Sequence, residues 1–155
     1  MNVPEALSNL NHEEYKILKS IPALVTILVG FADDNFNEHE IHMGELSTAF
    51  RKRAGNTIVK DYFEWVYNDY SHIFKQVYAE AKQMNQEDRL NQISEQIAQV
   101  NHILPKIDRN YALALVDSWR GLAKAIAHAS GGMFGRFAVS FGESEVMDLN
   151  MINLK

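Results

Sequence analysis

Apolar residues recur at helical spacing through most of this chain, and polar or glycine-bearing stretches separate the segments they mark. The first segment, His12 to Phe31, repeats Tyr15, Leu18, Pro22, Val25 and Val29. Its second half is apolar nearly all round, which predicts a helix central to the fold. Asn11 with Glu14 forms a capping box at its start. Pro22 removes one backbone donor and predicts a kink or a split. A second capping box, Asn37 with Glu40, follows Phe36 as hydrophobic staple and opens a helix to about Ala54. Its stripe is Ile41, Met43 or Gly44, Leu46 and Phe50, and Gly55 ends it just after Arg51-Lys52-Arg53.

Asn56 or Thr57 caps a third helix, from about Ile58 to Met84. Tyr62, Phe63, Trp65, Tyr67, Tyr70, Phe74 and Tyr78 load it with aromatics. The spacing predicts core packing with the tyrosine hydroxyls at the surface. The alternative, a stacking surface for a base or a partner, lacks interleaved arginines. After the polar break at Asn85-Gln86-Glu87-Asp88, a fourth helix runs from about Glu87 to Leu104 with Leu90, Ile93, Ile97, Val100 and Leu104 as its stripe. Pro105 stops it. Asp108 caps a fifth helix, which buries Tyr111, Leu115, Trp119, Leu122 and Ile126 and turns Asp117, Arg120, Lys124 and His128 another way. Residues 130–139 read as a loop. Ser140 with Glu143 opens a short last helix carrying Val146, Leu149 and Ile152. No segment alternates with a period of two, so the chain is all-α. It is expected to form a single domain over residues 1–155, a bundle of about six helices with two helix hairpins joined by two middle helices.

Composition narrows the partners. The formal net charge is −5, from 20 acidic and 15 basic residues, and the one basic cluster sits at a predicted helix end. Nucleic acid and anionic membrane surfaces call for concentrated positive charge, so neither is the expected partner. The longest apolar run, Ile21 to Ala32, has 12 residues, short of the roughly 20 that span a bilayer. The absence of cysteine removes disulfides, thiolate metal sites and cysteine nucleophiles. It also fits a reducing cytosol, and the N-terminus lacks the basic start of a secretory signal.

Candidate chemistry concentrates between the first two helices. Asp33, Asp34, Glu38 and Glu40 place four carboxylates in eight residues. Their oxygens suit calcium or magnesium, yet acidic residues in a helix's first turn also serve as ordinary caps. Asp33-x-Asn35-x-Asn37 opens like a calcium loop, but Glu38 and Gly44 stand where an EF-hand needs glycine and glutamate. His39 and His42 lie three apart, not the four of the zinc-protease helix, so they read as surface histidines. No nucleophile elbow, phosphate loop or di-iron Glu-x-x-His pair occurs.

A weaker copy of the acidic corner returns near the C-terminus. Ala129-Ser130 aligns with Ala32-Asp33, and Val139-Ser140 with Glu143 aligns with Phe36-Asn37 and Glu40, with six extra residues in the turn. In these residues, together with Gly131-Gly132, the chain resembles the tellurite-resistance TerB-like family. Asp34 stands where that family's motif has glycine, and Ser130 where an aspartate is expected at the second corner. The resemblance implies a cytoplasmic bacterial stress-response protein that is all-helical and non-enzymatic. It also implies a possible divalent metal at Asp33, Asp34, Glu38, Glu40 and Glu143, and no other cofactor. A protein partner or self-association is expected. The alternatives are a homo-oligomeric interaction module without metal and a small metal-dependent hydrolase.

Overall fold

The computed structural model describes residues 3–31, 56–129 and 148–154. All regular structure among them is helical. The acid-rich corner, the second predicted helix and the loop from Ser130 with the start of the last helix lie outside the described residues. Four α-helices are described: α1 (His12–Phe31), α2 (Lys60–Ala81), α3 (Gln86–Ala98) and α4 (Arg109–Ala129). Short 3₁₀ turns at Glu5–Leu7, Thr57–Val59, Gln99–His102 and Leu104–Lys106 lead into or join them.

The start of α1 follows its sequence closely. The Asn11 amide donates to Glu14 Oε1 at 3.0 Å, and the Glu14 amide donates to Asn11 Oδ1 at 2.9 Å. This is the reciprocal capping box the sequence predicts. Glu14 also pairs with Lys106 Nζ at 2.6 Å, which ties α1 to the turn before α4. The Asn11 amide, with help from Lys106, holds the Glu14 carboxyl below its ordinary value. A lowered carboxylate stabilises the fold above that ordinary value, near 4.5, and the contribution is lost as pH falls through the lowered one. Glu14→Gln keeps the neutral cap and removes the charge. Its stability deficit against wild type, read from urea titrations, is therefore expected to be full above the ordinary carboxylate value and to shrink as pH falls below it.

Pro22 does not split α1, which runs unbroken from His12 to Phe31. The helix nevertheless has two characters. Between residues 12 and 20 only Leu18 is fully buried, whereas every residue from Ile21 to Phe31 is buried. That half is enclosed because α2, α3 and α4 all pack on α1 far more than on one another. α1 is thus the hub of the fold, as its apolar run predicts. α2 runs in the same sense as α1, since Tyr15 meets Trp65, Thr26 meets Tyr70 and Phe31 meets Tyr78. α3 runs back: Gln86 at its start reaches Phe31, while Gln96 and Gln99 lie beside Glu13 and Lys16.

Asn56 and Asp108 cap as expected, and Asn85, read from the sequence only as part of a polar break, is a third cap. Asn56 accepts from the Ile58 amide, Asn85 from the Asp88 amide and Asp108 from the Tyr111 amide. Tyr111, Leu115, Trp119, Leu122 and Ile126 form the buried face of α4. Two predicted boundaries are corrected. α3 ends at Ala98, and Pro105 sits inside a later 3₁₀ turn instead of at the helix stop. Tightening to three residues per turn brings Ile103 into the core together with Val100 and Leu104. The predicted last helix does not extend over residues 148–154, which begin with a turn at 148–151. Leu149 has φ of 51°, a left-handed angle that a right-handed helix does not admit. Leu149 and Ile152 are still buried as expected. Asn101 holds this segment through Met151 O and the Asn153 amide, and Arg120 through Asp148 O and Ile152 O.

Candidate interaction surface

All five sequence-predicted metal ligands, Asp33, Asp34, Glu38, Glu40 and Glu143, lie outside the described residues, as do His39 and His42. Among the described residues, no group of three histidine, aspartate or glutamate side chains is arranged to hold a metal ion. The base of the acidic corner is described, because Phe31 immediately precedes it. Gln86 Nε2 donates to Phe31 O at 2.7 Å, which satisfies a carbonyl at the end of α1. Arg89 lies with its guanidinium carbon 4.0 Å from the Phe31 ring centre and is 7% exposed. Its Nε donates to Ala81 O at 2.8 Å, one terminal nitrogen to Met84 O at 2.7 Å and the other to Gln86 Oε1 at 3.0 Å. One buried cation thereby closes the C-terminus of α2, orders the α2–α3 link and covers the end of α1.

Arg89 corrects the sequence-derived stripe of α3, which begins at Leu90. Leu90 is only half-buried, and Arg89 takes the inward position. The signal was available, since Arg89, Ile93 and Ile97 repeat every four residues. A charged residue on an apolar stripe points to a set of carbonyls that need a donor.

The tyrosines of α2 correct a second expectation. Tyr62 and Tyr70 turn their hydroxyls inward, while Tyr67 is 41% exposed. The reason lies in Pro22. A residue without N–H leaves the carbonyl four positions earlier, Leu18 O, without its helical partner. Tyr62 Oη donates to Leu18 O at 2.6 Å and accepts from Trp119 Nε1 at 3.2 Å. One hydroxyl so joins α1, α2 and α4. Burial holds its phenol well above the ordinary tyrosine value, so it remains a donor throughout the accessible pH range. One turn on, Thr26 Oγ1 donates to Pro22 O at 2.8 Å and lies 3.1 Å from Tyr70 Oη. The aromatics therefore do pack, as predicted, and two of them also complete the hydrogen bonding around the proline.

The outer side of α1 carries two grooves. Lys16 and Ser20 of α1 face Ile73, Gln76, Val77 and Glu80 of α2 across a groove of about 350 Å³. On the other side of the same ridge, Lys16 and Ser20 with Glu13, Ile17 and Leu24 face Gln96 and Gln99 across one of about 190 Å³. Both combine half-buried aliphatic side chains with amides that donate and accept, the chemistry of partner contact. Lys19, which also lines the larger groove, is held by Asp69 at 2.5 Å and lies 4.8 Å from the Trp65 ring centre. That pairing with Lys19 keeps the Asp69 carboxyl below its ordinary value.

No helix among the described residues is long and apolar enough to cross a membrane. Compared with protein-family models, curated proteins and solved structures, the chain has no match in any of the three. What the geometry defines is an all-α protein built around one enclosed helix, with grooves on either side of that helix's exposed end.

Proposed function

We propose that this chain is a TerB-like, non-enzymatic interaction module of a bacterial stress response that works by holding a protein partner against the outer ridge of α1. The observation that carries the partner-binding part is the pair of grooves sharing Lys16 and Ser20, lined by aliphatic and amide side chains. The stress-response part rests on the two similar corners, Ala32-Asp33 with Phe36, Asn37 and Glu40, and Ala129-Ser130 with Val139, Ser140 and Glu143. In this proposal the acidic residues Asp33, Asp34, Glu38, Glu40 and Glu143 bind a divalent ion that fixes the corners, and the site of action is the cytoplasm.

The test is complementation. A strain lacking the gene is expected to lose tolerance to tellurite and to regain it with the wild-type chain. Lys16→Glu combined with Gln76→Glu places three new or existing negative charges along the larger groove, counting Glu80. This variant is expected to keep the wild-type melting temperature, because both side chains are at the surface, and to fail to restore tolerance. Full rescue by the variant removes the grooves from the function; an undiminished tolerance in the deletion strain removes the stress role. Calorimetric titration with calcium or magnesium addresses the ion separately. Heat that vanishes in Asp33→Asn/Glu40→Gln supports the corner site, and no heat at millimolar ion overturns it.

A further inference from the structure

We propose that α1 is a hinged helix in which Pro22 separates an anchored half from one that swings, with the Tyr62 hydroxyl as the latch that keeps the two in line. Two independent features coincide at this one residue. Burial changes there: residues 21–31 are enclosed without exception, while residues 12–20 form a surface ridge. Hydrogen bonding changes there as well, since the bond from residue 22 to Leu18 O is the one the helix cannot make, and a side chain from α2 replaces it. The larger groove takes its α1 lining, Lys16, Lys19 and Ser20, wholly from before Pro22, while the smaller one spans the proline, with Glu13, Lys16, Ile17 and Ser20 before it and Leu24 after it.

The swinging half is held by contacts that can be released singly. Beyond Tyr62 these include the ion pairs Glu14–Lys106 and Lys19–Asp69, the bond from Tyr15 Oη to Ser8 O, and the contacts of Tyr15 and Lys19 with the Trp65 ring. Surface ion pairs of this kind contribute little each. Opening exposes one fully buried side chain, Leu18, and uncovers the half-buried Tyr15 and Ile17, whereas moving the other half would expose eleven consecutive buried residues. The low-energy opening of α1 is therefore rotation about the Leu18–Pro22 gap. Such rotation changes the width of both grooves together, because they share Lys16 and Ser20. The hinge stands on the geometry around Pro22; its use as a gate rests on the proposed role of the grooves.

Hydrogen exchange on the full chain tests the hinge without any partner. In the wild type, the amides of residues 16–21 are expected to show protection at least tenfold below those of residues 23–31. Pro22→Ala supplies the missing donor to Leu18 O, which has a second lone pair free for it, and is expected to narrow that gap by about fivefold, the value of one net hydrogen bond. Tyr62→Phe is expected to widen it. Equal protection on the two sides of Pro22, or a gap that Pro22→Ala leaves unchanged, overturns the hinge. Pro22→Ala keeps the test decisive if Tyr62→Phe fails to fold. The two proposals fail separately: a split exchange profile with full rescue by the groove variant sinks the partner surface alone, and a uniform profile sinks the hinge alone.

Discussion

Replacing Tyr62 with phenylalanine is expected to lower the free energy of unfolding by about 3 kcal/mol, far more than the loss of one hydroxyl at a protein surface. The ring keeps its place against Phe63, Trp65 and Trp119, so little packing is lost. What changes is that two buried groups lose their partner at once, Leu18 O and Trp119 Nε1–H. Each unsatisfied buried group costs roughly 1–3 kcal/mol, and Tyr62, Leu18 and Trp119 are all fully buried. For a chain of this size the melting temperature should fall by about 10 °C. Thermal unfolding followed by circular dichroism checks this, and a shift under about 2 °C would mean that Leu18 O is satisfied in some other way. A double-mutant cycle gives the sharper result. In the Pro22→Ala background the new amide serves Leu18 O, so Tyr62→Phe should cost about 1 kcal/mol less than in the wild type. Additive costs would contradict the account of why the hydroxyl points inward.

Replacing Arg89 with leucine is the second large effect, with an expected loss of about 3 kcal/mol. Leucine fits the apolar stripe that Ile93 and Ile97 continue, so a purely hydrophobic account predicts stabilisation. The geometry predicts the opposite. Ala81 O, Met84 O and Gln86 Oε1 all accept from the guanidinium, and the end of α2 has no other cation placed in its last turn. Arg89→Lys should recover only a minor part, because a single ammonium cannot reproduce three planar donors while stacking on Phe31. Urea titrations of the two variants decide between these accounts. Arg89→Leu as stable as wild type would remove Arg89 from the role of helix-end closure. The position matters beyond stability, since Phe31, the ring under Arg89, leads directly into the acidic corner on which the proposed ion site depends.

The two substitutions show where sequence patterns stop carrying information. Asn11, Glu14, Asn56, Asn85 and Asp108 act as the local pattern says, because a cap bonds to amides two or three residues away and needs nothing else from the fold. The enclosed half of α1 was equally legible, since eleven consecutive residues that tolerate no solvent exposure require neighbours on every side. Leu149 and Ile152 were correctly placed in the core, but their backbone was not, because a turn pinned by Asn101 and Arg120 depends on side chains about 30 to 50 residues away. The acidic corners, with the candidate ligands Asp33, Asp34, Glu38, Glu40 and Glu143, remain a statement of the sequence alone.

Among the described residues the chain by itself therefore determined where the four long helices lie, how most of them begin, and which helix is the hub, since propensity, capping and periodicity act over a few residues. Only the tertiary structure decided how the fold deals with the proline in that hub and with the carbonyls at its helix ends. Pro22 announces a missing bond, but its remedy, Tyr62 backed by Trp119, comes from two other helices. Arg89 likewise earns its buried place from partners on the preceding helix and link. Local sequence records that a polar group will need a partner; only the packed arrangement of helices settles which side chain lies within about 3 Å of it.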